Sequence, residues 1–265
     1  MTEFRDVFLM DPLALGMLVV VAVVLTAAAG QAVVFRLPPF RGTAARPVAA
    51  PFFVSVTTIF ALFLAFLAAD AWSRNSTATH ARQSETTAIE RIAYVSTGLG
   101  AEAAPILAAL RTYVRTTVDG EWRATQNRRS DPAALGALGA LEQTIVRLNS
   151  DCRGGVRPPP CVGDAIADSL LRATEDLHDG RTVRLATASN FGNPVRWSML
   201  MAMALVSFVA VALIHADRPL NATVGSILVG TNVALAIALI ALYEFPYAGL
   251  DAVDPEPLLA AIGAR

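Results

Sequence analysis

Asp70 and Arg74 stand four residues apart in the stretch LAFLAADAWSRN (Leu64 to Asn75), with Trp72 between them, where a long apolar run ends. On a helix this spacing puts both charges on one face, and acid before base is the favourable order for an ion pair. A carboxylate at a membrane edge is costly unless paired or hydrated, so the trio could form the mouth of an ion pathway. Trp72 would also suit an interfacial aromatic belt. Upstream, Ser55, Ile59 and Phe63 are spaced at four and share one helix face, with Phe66 close by. Repeated around a symmetry axis, such apolar side chains form a constriction that gates by dewetting. The same stripe could pack against lipid or neighbouring helices. Arg111 and Arg115, one turn apart, could clasp an anion or pair with acids on an adjacent helix.

Other chemistry finds little support. His80, His178 and His215 are far apart, and no zinc-protease, nucleophile-elbow, phosphate-loop or dinucleotide pattern is present. The polar run EDLHDGR (Glu175 to Arg181) reads as a solvated helix face. No catalytic residue, metal site or cofactor is expected. An enzyme would have to use an intramembrane polar group such as Asp70 or Asn232, and polar groups in membrane helices commonly bond across helix interfaces.

The elements that carry these residues follow from composition. Of 265 residues, 54% are hydrophobic and only 16% charged, with a net charge of −1. This balance indicates a membrane protein and gives no footprint for nucleic acid. Four runs are long enough to cross a hydrocarbon core, which takes roughly 20 helical residues: Leu13 to Phe35, about Val48 to Ala69, Trp197 to Ile214 and Leu220 to Tyr243. Backbone groups in lipid must be satisfied within the segment, so these are helices. The first is expected to be retained rather than cleaved, because the leader MTEFRDVFLMD is not positively charged.

Orientation follows from the arginines. Arg36, Arg41 and Arg46 lie between the first two helices and Arg218 between the last two, which places these loops in the cytoplasm. The termini and the stretch from Ser73 to Pro194 then face outside, as in a bacterial inner-membrane protein with a periplasmic domain. Cys152 and Cys161 bracket RGGVRPPP in that outer segment and are a disulfide candidate; two unpaired thiols are the alternative.

The long insert is helical by periodicity. Ile89, Ile92, Val95 and Leu99 form one stripe; Ile106, Leu110, Tyr113, Val114 and Val118 form another, with Gly98, Gly100 and Pro105 marking a break. A third helix opens at Asp131 and Pro132 and carries Leu135, Leu138, Leu141, Ile145 and Leu148. A fourth begins near Asp164 and carries Ile166, Leu170, Leu177 and Leu185. The fold expected is all-α and polytopic, with four transmembrane helices and a helical-bundle insert. Its parts are a membrane hairpin (1–72), an extramembrane bundle (73–195), a second hairpin (196–243) and an acidic tail (244–265).

Four stretches, LFLAFLAADAWSRN, LRTYVRTTVDGEW (Leu110 to Trp122), RLATA beginning at Arg184, and FPYAGLDAVDPEPL (Phe245 to Leu258), occur in the order seen in a bestrophin-like family of bacterial and plant membrane proteins. The chain resembles that family, which is related to the bestrophin anion channels. The resemblance implies a ring-like homo-oligomer in the lipid bilayer, with the second helix lining a path for inorganic anions. Ile59 and Phe63 would match the apolar neck and Trp72 the exit. Two features depart from the bestrophins: the acidic calcium clasp after the last membrane helix has no equivalent, and the arginines place the helical region on the opposite side. A different class of function, a non-conducting scaffold or envelope sensor that binds a partner through its bundle, fits the same architecture.

Overall fold

The computed structural model describes residues 12–36, 50–100, 103–153, 164–189, 194–248 and 252–263. Among them there is no strand. The helices are α1 (Pro12–Arg36), α2 (Ala50–Thr97), α3 (Ala103–Thr117), α4 (Pro132–Arg153), α5 (Asp164–Ser189), α6 (Pro194–Ile214), α7 (Pro219–Tyr243) and α8 (Glu256–Ala261), and a π-helical turn, Val118–Arg123, extends α3. The four apolar runs lie in α1, α2, α6 and α7, each long and apolar enough to cross a membrane.

The apolar run that ends near Ala69 and the stripe of Ile89, Ile92 and Val95 lie on one continuous helix: α2 runs for 48 residues, about 72 Å at 1.5 Å per residue, more than twice a hydrocarbon core. Hydropathy reports the change of solvent at Ala69, whereas the backbone has no reason to break there. No Gly or Pro occurs between Phe52 and Thr97. The break comes where glycine permits it, with Gly100 at φ +61°.

The chain divides into two compact units. The first comprises residues 1–73, 191–245 and 249–251. Its core joins Val19 and Val23 of α1, Phe60 of α2, Leu200, Ala204 and Phe208 of α6, and Val233 and Ile237 of α7. Hydroxyl and amide side chains in these helices bond back to their own backbone: Thr26 to the Ala22 carbonyl, Ser207 to Met203 and Asn232 to Leu228. Asn232 thus satisfies one amide N–H within α7.

The second unit comprises residues 74–190, 246–248 and 252–265. Its core gathers Ile89 and Ile92 of α2, Ile106, Leu110, Tyr113 and Val114 of α3, Leu138, Leu141 and Ile145 of α4, and Leu170 and Leu177 of α5. Asp131 caps α4, its carboxylate accepting from the Ala133 amide at 2.9 Å. Two expected stripe residues are on the surface instead: Leu135 and Ile166 are exposed. Both sit in the first turn of their helices. The segment after α7 is not a loose tail, because Tyr247, Leu258 and Ile262 are buried in this core. Of the disulfide candidate, Cys161 and the side chain of Cys152 lie outside the described residues.

Candidate functional site

In the first unit, α2 presents Ser55, Ile59, Leu62 and Phe66 along one exposed face. Ile59 is 59% and Phe66 71% exposed. The steps of four, three and four keep these residues within a narrow stripe. Phe63 departs from it: it is half-buried and packs with Leu64 and Leu67 against the inner core. Successive steps of four drift around a 3.6-residue helix, which is why Leu62 rather than Phe63 continues the line from Ser55. Only 11% of the apolar window of α2 is buried inside the chain, against 22% in α1 and 33% in α6 and α7. Of the four spanning helices, α2 is the least covered by its own chain.

At the end of this apolar stretch, Asp70 accepts a hydrogen bond from the guanidinium of Arg196 on α6. An arginine of another helix is thus one partner of Asp70, and Arg74 is half-buried one turn on. Trp72 is exposed, and its ring stacks on Tyr243 of α7 at 6.2 Å with an interplanar angle of 14°. Arg111 and Arg115 both lie exposed on α3. No group of three potential metal ligands occurs among the described residues.

The second unit holds a charged cluster that the sequence reading missed. Glu85 of α2, Glu121 of the π-helical turn, and Arg181 and Arg184 of α5 are all buried. Arg184 donates through Nε to Glu85 at 2.6 Å and through Nη2 to Glu121 at 2.9 Å, and its Nη1 donates to Asn127 Oδ1. Arg181 bonds the other oxygen of Glu121 and Ser130 Oγ, the latter at 2.8 Å. The Arg184 guanidinium also lies over the Trp122 ring, 5.3 Å from its centroid. Two cations face two anions, so the cluster is neutral and each guanidinium is held by several acceptors.

Local structure explains how these groups come together. The wider π-helical turn, followed by Gln126 and Asn127 at positive φ (50° and 61°), turns Glu121, Trp122 and Asn127 inward. The Asn127 amide then donates to the Glu121 carbonyl at 2.6 Å. Gly120 leaves room for the α4 cap, since a Cβ there would lie 1.8 Å from an Asp131 carboxylate oxygen. Gly180 does the same for α2, where a Cβ would stand 2.8 Å from Glu85 Cγ. Burial pushes the Tyr113 phenol up, and the Glu85 carboxylate adds to the effect. Burial also raises Tyr247, opposed by Arg184. For Arg184, burial favours the neutral form, but the carboxylates, Glu85 foremost, outweigh it and hold the guanidinium firmly charged.

A sequence signal for this cluster exists. Leu170, Leu177, Arg181, Arg184 and Ala188 recur at seven, four, three and four, so the two arginines occupy core positions of the α5 stripe. EDLHDGR is therefore only partly a solvated face: Glu175, Asp176, His178 and Asp179 are exposed, whereas Leu177, Gly180 and Arg181 are buried.

A family model described as a Bestrophin-like domain matches residues 21–258 of the chain. Among solved structures, a tryptophan-to-alanine variant of a bacterial bestrophin homologue from Klebsiella pneumoniae aligns with a TM-score of 0.68 at 12% identity, covering 96% of this chain and 99% of that one. A leucine-to-alanine variant described as a membrane protein aligns at 0.66 and 14% identity, covering 91% and 97%. A leucine-to-threonine variant of the Klebsiella homologue gives 0.64 and 12%. At such identities the likeness speaks for the fold. A search of curated protein sequences finds no match.

Proposed function

The chain belongs to the Bestrophin-like family, and from that premise we propose that it is the subunit of an oligomeric ion channel that passes anions between copies of α2. The observation that carries this reading is the sparse cover of α2 together with its uncharged stripe of Ser55, Ile59, Leu62 and Phe66. A stripe spaced at four and three is the pattern by which helices pack around a shared axis. Facing copies of Ile59, Leu62 and Phe66 would make an apolar constriction that excludes water until it widens. Asp70, Trp72 and Arg74 stand at its end as a vestibule, where Arg196 keeps the Asp70 carboxylate from repelling anions. Arg111 and Arg115 are proposed as further anion contacts.

The test is halide flux into liposomes containing the purified protein. The wild type is expected to conduct, and Phe66→Ala to raise flux several-fold by removing the bulkiest member of the constriction. Phe63→Ala, which trims a side chain packed inward, is expected to change flux less. No flux from either form of a well-folded oligomer would end the channel reading and leave the non-conducting scaffold in its place.

Sidedness is proposed from the arginine-bearing short loops: a cytoplasmic-membrane protein with termini and second unit on the outside. Alkaline phosphatase fused after Arg265 is expected to be active and a fluorescent protein there to stay dark. The reverse pattern would place the bundle in the cytoplasm.

A further inference from the structure

We infer that His80 makes anion entry responsive to pH: facing copies of its imidazole form a ring that becomes positive as pH falls and draws anions toward the apolar constriction. The inference rests on the channel reading and adds to it a regulator on the same face of α2.

The exposed stripe of α2 does not end at Phe66. In alternate steps of three and four it continues through Ala69, Ser73, Ser76, His80, Gln83 and Thr87, and every one of these residues is exposed. A straight helix drifts only about 20° per heptad, so His80, two heptads beyond Phe66, stays on that face. What changes is the chemistry. Ile59, Leu62 and Phe66 are apolar, whereas from Ser73 to Thr87 the line is carried by hydroxyl, imidazole and amide groups. A packed seam between helices needs apolar residues at these positions. A polar line is wetted instead, so facing copies of it border an aqueous chamber. From Ser55 to Thr87, His80 is the only residue of the line that can carry a charge.

The surroundings leave that charge uncompensated. His80 borders an open polar groove of about 610 Å³, lined also by Gln83, Ser84, Thr87 and Arg91 of α2 and by Asp176 of α5. The one acid and the one guanidinium of that lining face each other, at 3.9 Å. On α2 the residues one turn either side of His80, namely Ser76, Thr77, Gln83 and Ser84, are uncharged. From α5, Gly180 packs close by, where a Cβ would stand 3.4 Å from the Ala81 carbonyl oxygen. Arg181 and Arg184 beside it are buried and bonded to Glu121 and, for Arg184, to Glu85. Glu175, His178 and Asp179 are exposed and do not line the groove. Among the described residues the imidazole makes no hydrogen bond or ion pair. Histidine is the side chain that gains a charge between about pH 8 and pH 5. Protonation therefore adds one positive charge per copy around the chamber, and a confined space lined by one sign of charge concentrates ions of the other.

The test is halide flux through proteoliposomes buffered on both sides at about pH 8 or about pH 6, a range that histidine crosses and ordinary carboxylates do not. The wild type is expected to conduct roughly threefold faster or more at the lower pH. His80→Gln should lose that rise and give one flux at both values. His80→Arg carries a fixed charge and should give the higher flux at both. His178→Gln, which alters an exposed imidazole outside the groove, should respond as the wild type does. Equal wild-type flux at the two values, or a rise that survives in His80→Gln, overturns this inference and leaves the channel reading standing. No flux at either value from a well-folded oligomer overturns the channel reading and this inference with it. Should one His80 variant fail to assemble, the other decides by the same comparison.

Discussion

Replacing Arg184 with methionine is expected to destabilise the second unit by about 3–5 kcal/mol, the usual cost of removing one partner from a buried ion pair. The side chain is fully buried and holds Glu85, Glu121 and Asn127 at once. Its loss leaves Glu85 without its guanidinium and Glu121 with Arg181 alone. For a unit of this size the melting temperature should fall by roughly 10 °C or more. Arg91→Met is the control. Its pair with Asp176 spans 3.9 Å, and both side chains are about half exposed, so the loss should stay below about 1 kcal/mol. A compensating Glu85→Leu in the Arg184→Met background should recover part of the stability, because an apolar pair no longer strands a charge. Equal melting temperatures for Arg184→Met and Arg91→Met in detergent would show that the cluster does not hold the unit together.

The cluster also illustrates where reading a sequence succeeds and where it stops. The membrane helices α1, α6 and α7 were legible nearly to their ends: α7 closes at Tyr243 as expected, and α1 begins one residue before Leu13. Lipid allows one backbone solution, so apolar length alone specifies them. The bundle helices were legible from their stripes, except in first turns such as those of Leu135 and Ile166, where the facing helix does not cover the surface. Burial of a charge was not legible, because it depends on partners far away in sequence. Arg184 meets Glu85 across 99 residues and Glu121 across 63. Yet three of the four stretches that suggested the family meet at this place. Tyr113, Glu121 and Trp122 come from LRTYVRTTVDGEW, Arg184 from RLATA, and Tyr247, whose ring meets Trp122 edge-on at 5.1 Å, from FPYAGLDAVDPEPL. Those stretches carry the fold of the second unit, while the fourth carries the proposed pore.

For that fourth stretch the face of α2 could be drawn by periodicity, but periodicity does not say which solvent the face meets. A lysine at Ile59 asks that question directly. Ile59 lies near the middle of the apolar part of α2 and is exposed from its own chain. If the stripe faces acyl chains, a charge at this depth costs about 2.5–3.5 kcal/mol on insertion scales, and the variant should insert or assemble poorly. If copies of the stripe enclose a pathway, the ammonium groups hydrate along the axis and attract anions. The expected result is an Ile59→Lys protein that inserts, assembles as the wild type does and conducts halide at least tenfold faster, since the dewetted constriction has become a hydrated cationic ring. Leu228→Lys supplies the comparison. Leu228 is exposed near the middle of α7, so a lysine there should bear the full lipid penalty and lower the yield of assembled protein. Were Ile59→Lys to fail as Leu228→Lys does, α2 would be facing lipid and the conduction pathway would have to be sought elsewhere. The comparison is decisive because both substitutions add the same charge at similar depth and differ only in what their helix faces are proposed to meet.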